Sequence, residues 1–333
     1  MDPIDPRVPL SELAVRVHRR PNALAGIAFR HSSWSQNRAR VFAALTPDDP
    51  DPLAWIRFRD DPDTEDMPPL PPASNRTRRF IACGTRSVVL RSVDDPSRYK
   101  VACQRCHDRF CLPCMQDRAR LIVANLKAQL KYEPTRLITL TLKHNHDPLT
   151  EQLDRLYSSF TALRRRAFWH DAVSGGVAFL ELKLSSTDDC WHPHLHVLAR
   201  GSYLPQKLIS DAWLQITGDS HIVDIRLAKS PEHLYGYLTR YVTKGWDAGI
   251  YRKLHALREA IQALKGRKLL ASFGDFSGLR LLEPPTSETW VELGTLHEVV
   301  TLAAECVPWA TAACFAIFAY DYEPPACVEP PDP

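Results

Sequence analysis

No segment of this sequence is long and apolar enough to cross a lipid bilayer. The longest uncharged, largely apolar stretch runs from Cys306 to Tyr320, which is shorter than the roughly 20 residues that a transmembrane helix needs. Pro308 interrupts it, so we expect a buried helix or a pair of strands there. The sequence also lacks a basic start followed by an apolar segment, the pattern of a secretory signal. We therefore expect a cytoplasmic protein that has no membrane partner.

The chain has little net charge, but its charges are unevenly placed. The formal net charge of +3 is too small to indicate nucleic-acid binding by itself. Residues 48–66 carry eight acidic side chains, whereas residues 252–268 carry six lysines and arginines against one glutamate. A modest total can therefore hide a basic surface.

Prolines concentrate at the two ends of the chain. Of 27 prolines, twelve lie in residues 1–72 and five in residues 321–333. Such composition predicts little ordered structure. The predicted organisation is a largely disordered N-terminal region (1–79), a cysteine-rich zinc-binding segment with a helix (80–131), a central domain (132–282) and a C-terminal extension of unknown role (283–333).

Hydrophobic periodicity predicts the fold of the central domain. The predicted strands are residues 137–142, 177–183, 194–199 and 221–227, and the predicted helices are residues 149–170, 205–217 and 231–244. Another helix is predicted before them, over residues 116–131. The order β-α-β-β-α-β-α contains two βαβ-like units around an antiparallel hairpin. We therefore predict an α+β fold, a ferredoxin-like or RRM-like antiparallel sheet with helices on one face.

Cysteines cluster ahead of the central domain. The cluster consists of Cys83, Cys103, Cys106, Cys111 and Cys114. In a reducing compartment such a cluster favours a metal over disulfides, and two Cys-x-x-Cys pairs suit tetrahedral Zn²⁺. Only four residues separate the pairs, so Cys83 or His107 could replace one of their thiolates. We predict a structural zinc bound by four of the five cysteines, with an iron–sulfur cluster or buried thiols as alternatives. The remaining cysteines, Cys190, Cys306, Cys314 and Cys327, are predicted to be unpaired.

His194 and His196 alternate along a short apolar predicted strand. Side chains of a strand alternate between its faces, so both imidazoles point the same way. Two such nitrogen ligands with an added carboxylate suit Mn²⁺ or another transition ion, and Mg²⁺ where a substrate phosphate supplies oxygens. Glu181, on the neighbouring predicted strand, could complete the site. The alternative is a pair of ordinary surface histidines.

Tyr237, Tyr241 and Lys244 share one face of the predicted helix at residues 231–244. A tyrosine nucleophile would form a phosphotyrosine ester that conserves the energy of the broken phosphodiester bond. Lys244 would stabilise the extra charge of the transition state. Alone, two tyrosines at this spacing are usually structural. Their place one strand and one helix after the histidine strand favours a catalytic role.

Three motifs in this order resemble the HUH endonuclease superfamily, in particular rolling-circle replication initiators of the plasmid Rep type. Residues 137–141 (LITLT) resemble its first motif, and residues 192–198 (HPHLHVL) resemble its histidine-hydrophobe-histidine motif. Residues 240–244 (RYVTK) resemble the motif that carries the nucleophilic tyrosine. The cysteine-rich residues 106–114 are similar to the segment that precedes the first motif in many plasmid initiators. The resemblance covers roughly residues 80–280 and assigns the central domain to the endonuclease.

The resemblance implies a metal-dependent, sequence-specific DNA nickase and strand transferase that starts rolling-circle replication. Tyr241 would bond to the 5′ phosphate of the nicked strand and leave a 3′ hydroxyl as primer. The implied cofactor is Mn²⁺ or Mg²⁺, and the implied partners are origin DNA at a single-stranded or hairpin nick site, a host helicase and a single-strand binding protein. Phosphate contacts are expected from Arg240, Arg252, Lys253, Arg258, Lys265, Arg267 and Lys268, although residues 252–268 could equally form a solvated helix.

One position departs from the plasmid pattern. Many plasmid initiators have glutamate four residues before the nucleophilic tyrosine, where this chain has Tyr237. Two tyrosines are typical of some phage initiators, Helitrons and related transposases, so a two-tyrosine single-strand DNA transposase is one alternative. A non-catalytic zinc-ribbon DNA-binding protein is another. Residues 192–196 also resemble the histidine-triad nucleotide hydrolases, but Pro193 stands where that family has a strand hydrophobe.

Overall fold

The computed structural model describes residues 37–46, 74–129, 135–230, 234, 246–282 and 288–318. The chain divides into two compact units. The large unit comprises Ala39–Ala73 and His107–Pro284, and the small unit comprises Met1–Arg38, Ser74–Cys106 and Pro285–Pro333.

The helices and strands follow one another singly and in pairs along the described chain. Up to the end of β3 they are α1 (37–45), α2 (Asn75–Ile81), β1 (Val88–Ser92), β2 (Tyr99–Ala102), α3 (Leu112–Gln129) and β3 (Thr135–Thr141). They continue with α4 (Leu149–Arg164), α5 (Ala167–Ala172), β4 (Val173–Leu184), β5 (Trp191–Gly201), α6 (Gln206–Thr217) and β6 (Val223–Leu227). After residue 245 come α7 (Ala248–Arg252), α8 (Leu254–Ala263), β7 (Leu270–Gly274), β8 (Trp290–Thr295), α9 (Leu296–Ala304) and α10 (Pro308–Phe318).

The large unit is built on a five-stranded antiparallel sheet in the order β6-β3-β5-β4-β7. When β3, β4, β5 and β6 are numbered 1 to 4, their order is 4-1-3-2, and every neighbouring pair is antiparallel. This is the ferredoxin-like arrangement, so the predicted α+β fold class is confirmed. The edge strand β7 was not predicted. β5 lies in the centre, where both of its neighbours can contribute side chains to a site.

Both faces of this sheet are covered by helices. On one face, the Phe160 ring of α4 and the Trp169 ring of α5 lie 5.8 and 6.2 Å from the ring of Phe273. On the other face, Leu126 of α3 packs in a buried cluster with Leu198 of β5. The prediction of helices on one face only was therefore wrong. The reason is that both alternating sets of strand residues are apolar and buried, as in a sheet that is covered on two sides.

Two predicted helices differ from the observed ones at their ends. The helix predicted over residues 149–170 is broken, because Arg166 has an extended backbone with ψ of 141° and separates α4 from α5. The helix predicted from residue 116 begins four residues earlier as α3, with Pro113 in its first turn. Proline is tolerated there because the first N–H groups of a helix have no intrahelical partner. Pro113 is therefore inside the helix, near its start.

The small unit contains a three-stranded antiparallel sheet in the order β2-β1-β8. Val89 of β1 is buried with Val299 of α9 and Ala310 of α10. The guanidinium of Arg38 donates to the carbonyl oxygen of Cys83 over 2.8 Å and to those of two residues of α2. Ordered structure therefore occurs both in the N-terminal region and in the C-terminal extension.

Pro308 begins helix α10 and does not interrupt it. The apolar stretch at the C-terminal end is thus a helix, one of the two outcomes expected for it. Among the described residues, no single helix is long and apolar enough to span a bilayer. Helices α9 and α10 reach that length and composition only as a pair, and the chain bends by 117° between them.

Candidate active site

The central strand β5 aligns three histidines on one face of the sheet. His192, His194 and His196 occupy alternate positions, so their side chains leave the strand on the same side. In the register of the sheet, His194 lies opposite Glu181 of β4, and His196 lies opposite Thr139 of β3. The sheet therefore brings side chains from three strands to one place.

Glu181 lies on the same face as the histidines. Its Oε2 atom is 2.8 Å from Nε2 of His196, and both side chains are buried. The ammonium of Lys183 lies 3.6 Å from the same carboxylate oxygen. The sequence left the face of Glu181 open. The structure places its carboxylate beside the histidines, with a lysine that sequence reasoning had not singled out.

Thr139 orients the imidazole of His196. Its Oγ1 atom lies 3.2 Å from Nδ1 of His196. Because a carboxylate only accepts, Nε2–H of His196 donates to Glu181, which leaves Nδ1 to accept from the Thr139 hydroxyl; binding of an ion at Nε2 would require the other tautomer, in which Nδ1 donates to Thr139. Partners of this kind fix the tautomer and ring orientation of metal-binding histidines. Sequence reasoning assigned Thr139 only to a strand motif, and the signal it missed is the cross-strand pairing with His196.

His194 stands beside this pair with an unused nitrogen. Its ring centre lies 6.4 Å from that of His196, and its buried Nδ1 has no hydrogen-bond partner among the described residues. Burial, followed by the positive charge of Lys183, lowers the pKa of His194 to about 4. The imidazole is therefore neutral at pH 7, the form in which histidine binds a metal.

Glu181 and His196 are spaced as two ligands of one divalent cation would be. Two ligands held about 2.1 Å from an ion and at right angles lie about 3 Å apart, close to the 2.8 Å between Glu181 and His196. The unpartnered nitrogen of His194 lies on the same face, but the ligand atoms of the three side chains do not all lie within 4.8 Å of one another. Two imidazoles and a carboxylate are ligands that suit Mn²⁺ and related ions.

The predicted tyrosine helix is described only at its start. Tyr237, Tyr241 and Lys244, like Arg240, lie outside the described residues. Leu234 is helical, and its N–H donates to the carbonyl oxygen of Ser230 over 3.1 Å. Its side chain is buried in the same cluster as Phe179 and Leu198, which lie on the histidine face of the sheet.

The predicted DNA-binding cations of the large unit differ in their surroundings. Lys253 forms an ion pair with Asp189, and Arg267 lies 2.6 Å from a carboxylate oxygen of Asp154. Nε of Arg258 is buried and has no hydrogen-bond partner in the described part of the chain. The exposed candidates are Arg252, Lys265 and Lys268. Of the candidates in the described part of the chain, these three present a solvent-exposed charge that is not drawn into such a contact.

Four of the five clustered cysteines form two close pairs, one in each unit. In the small unit, the sulfur atoms of Cys83 and Cys106 lie within 4.8 Å of each other, and in the large unit the same holds for Cys111 and Cys114. All four side chains are buried. Cys103 is more exposed and belongs to neither pair. Each pair alone supplies two of the four donors that a tetrahedral Zn²⁺ requires.

A second group of metal-ligating side chains was missed. It consists of His144, His146, Asp188 and Cys190. Cys190 is a free cysteine, as predicted, but its sulfur lies 2.8 Å from Nδ1 of His146, a contact that was not foreseen. The alternation His-x-His at residues 144–146, just after the first strand motif, was the available signal.

Comparison with known proteins decides the family. The model of the family described as "Replication protein" matches residues 98–289, which is more than half of the 333 residues. The chain belongs to this replication protein family. The match includes the histidine strand and the predicted tyrosine helix, and it confirms at the family level the resemblance that the motifs indicated.

A curated relative of this replication protein is similar over part of its length. "Protein rep" of Staphylococcus aureus is 29% identical over 140 residues, which cover 37% of this chain and 61% of that protein. The chain thus spans less than two thirds of that relative. No solved structure matches the chain.

Proposed function

We propose that this replication protein initiates rolling-circle replication by nicking one strand of origin DNA and holding its 5′ end on Tyr241. The observation that carries the proposal is the arrangement of Glu181, His194 and His196 on one face of the central strands. Family membership makes DNA the expected partner. The nicking chemistry, the metal requirement and the involvement of a host helicase and a single-strand binding protein belong to the proposal.

Leu234 supports a position for Tyr241 near the histidines. It is buried in the cluster on their face of the sheet, seven residues before Tyr241. Residues seven apart share one face of a helix and are separated by about 10 Å along its axis. If the helix continues from Leu234 as predicted, the phenol of Tyr241 would lie on the side that meets the sheet. Tyr237, three residues after Leu234, would share that side.

The strand residues have distinct roles in this proposal. His194 and His196, both on the face of Glu181, would be the nitrogen ligands of the cation, while Thr139 would keep the ring of His196 in place. A bound Mn²⁺ or Mg²⁺ would polarise the scissile phosphate and favour in-line attack. Lys183 would offset part of the negative charge of Glu181.

In the proposed reaction, the phenolic oxygen of Tyr241 attacks the phosphorus atom and loses its proton to solvent. A bond forms between this oxygen and phosphorus, the bond from phosphorus to the 3′ oxygen breaks, and that oxygen takes up a proton. The phosphodiester is exchanged for a phosphotyrosine ester, so a later attack by a free 3′ hydroxyl can rejoin the strand. Tyr237 would serve a second transfer, and Lys244 would stabilise the transition state.

The test is relaxation of a supercoiled plasmid that carries DNA from the replicon encoding this chain, with Mn²⁺ present. The wild-type protein should yield open circles and a covalent protein–DNA adduct. Tyr241→Phe should bind the DNA and form no adduct. Tyr203→Phe is the matched control, because Tyr203 is 73% exposed and has no role in the proposed reaction.

Each other outcome would indicate a different assignment of roles or a different function for this chain. An adduct that persists in Tyr241→Phe and disappears in Tyr237→Phe would reverse the roles of the two tyrosines. If the protein binds the plasmid and the plasmid stays supercoiled, the protein is a non-catalytic DNA-binding protein. The same purified protein acting on DNA ends that flank a mobile element, and not on a replication origin, would indicate the two-tyrosine transposase.

A further inference from the structure

A second cluster of metal-ligating side chains lies where two loops of the large unit meet. His144 and His146 follow the end of β3, and Asp188 and Cys190 belong to the loop that joins β4 to β5. One ligand atom from each of the four residues lies within 4.8 Å of those of the other three. None of these residues belongs to the histidine strand or to the clustered cysteines.

The four side chains already contact one another in pairs. Nε2 of His144 lies 3.0 Å from a carboxylate oxygen of Asp188, and the sulfur of Cys190 lies 2.8 Å from Nδ1 of His146. The rings of His144 and His146 have their centres 5.6 Å apart. The donors therefore converge from two separate loops, as the ligands of an ion do.

Burial within the cluster is uneven. Cys190 is buried, whereas His144, His146 and Asp188 are exposed. Three of the four donors can therefore be reached from solvent, and the buried thiol adds a soft ligand. An ion could therefore enter without any rearrangement of the sheet.

The backbone of the β4–β5 loop supports this geometry. Asp189, between the two loop ligands, has a positive φ of 57°, a conformation that aspartate tolerates better than most residues. Its carboxylate forms an ion pair with Lys253 and lies 3.5 Å from Nε2 of His255. The turn that presents Asp188 and Cys190 is thus held from outside the cluster.

We propose that His144, His146, Asp188 and Cys190 form a binding site for Zn²⁺. Two imidazoles, a carboxylate and a thiolate are a four-ligand set that Zn²⁺ accepts in tetrahedral geometry. Mg²⁺ and Ca²⁺ prefer sites made only of oxygen, so nitrogen and sulfur donors select against them. The site stands apart from the nicking proposal, because it uses none of the residues assigned to nicking.

His192 connects this site to the histidine strand. Its Nε2 lies 3.0 Å from Nδ1 of His144, which leaves Nε2 of His144 for the ion. A second nitrogen that is engaged in this way orients a metal-bound imidazole. Bound Zn²⁺ would link the segment after β3 to the β4–β5 loop. His192, which contacts this site, lies two residues before His194 on the same face of β5.

The proposal is tested by the zinc content of the whole protein after exposure to Zn²⁺ and removal of excess ion. His146→Ala and Asp188→Asn should each hold one zinc per chain fewer than the wild type. His170→Ala is the control, because His170 is also exposed and belongs to neither ligand group. It should hold as much zinc as the wild type, and circular dichroism should show that all variants are folded.

A second measurement separates this site from other zinc on the chain. Zn²⁺ should raise the melting temperature of the wild type more than that of His146→Ala, since a ligand that binds only the folded state stabilises it. Equal zinc content and equal shifts in wild type and His146→Ala would overturn the proposal. So would the same zinc loss in His170→Ala, or a loss confined to His194→Ala, which would locate the ion on the histidine strand.

Discussion

Two pairs of histidines in the large unit, His194 with His196 and His144 with His146, are positioned by different means. His194 and His196 are placed by the register of the central strand, and Glu181 from the next strand meets them in a buried setting. His144 and His146 lie beyond the end of β3, and their partners come from a loop more than forty residues later. In a strand, the backbone alone sets the direction in which both histidine side chains project. In a loop, that direction is fixed only when other side chains hold the loop in place.

The largest expected effect comes from removing a histidine of the strand pair. His194→Ala and His196→Ala should each lower metal-dependent nicking about 100-fold or more, because a bound ion contributes several kcal/mol to stabilising the transition state. The measurement is the rate of open-circle formation at fixed Mn²⁺ concentration. His144→Ala provides the contrast and should cost much less activity. Unchanged rates in both strand variants would remove the proposed metal site.

An intermediate effect is expected from Thr139, which contacts the imidazole of His196. Thr139→Val keeps the shape of the side chain and removes the hydroxyl 3.2 Å from Nδ1 of His196. The apparent affinity for Mn²⁺ should fall about 10-fold, as is usual for a lost partner of a metal ligand. Nicking at saturating Mn²⁺ should recover. A defect that no Mn²⁺ concentration repairs would mean that Thr139 acts on folding or on DNA.

The smallest expected effect concerns the lysine that supports the loop pair. Lys253 is already paired with Asp189, whereas Lys265 is exposed. Lys265→Gln should reduce the slope of log affinity for DNA against log salt by about 1 if it contacts phosphate. Lys253→Gln should reduce it by less. A larger change for Lys253 would show that it leaves Asp189 to contact DNA.

The central strands of the large sheet were predictable from the sequence. Residues 135–141, 173–184 and 191–201 pair into the predicted sheet, because apolar residues recur along each strand. The helix on the second face of the sheet was not predicted. When a strand is buried on both faces, its residue pattern does not show which helix packs on which face. The break at Arg166 was missed for a similar reason: apolar periodicity continues across it into Trp169.

The candidate site was predictable in part. The alternation of His194 and His196 was sufficient to place both on one face, but the face of Glu181 depended on the β4–β5 register. That register is set by the hairpin loop and by close approach at Gly176, where an added Cβ would lie 2.0 Å from the carbonyl oxygen of Leu198. The contact between Cys190 and His146 depends on two loops meeting, which no local pattern encodes.

The central position of β5 makes the protein unusually sensitive to length changes there. A single residue inserted between Trp191 and His194 would shift the remaining strand by one position and rotate both imidazoles into the layer beneath α4 and α6. Leu195 and Val197 would then face Glu181. The composition would hardly change, yet every donor on this strand would be on the wrong side of the sheet. Evolution of this region can therefore exchange residues far more readily than it can add or remove one.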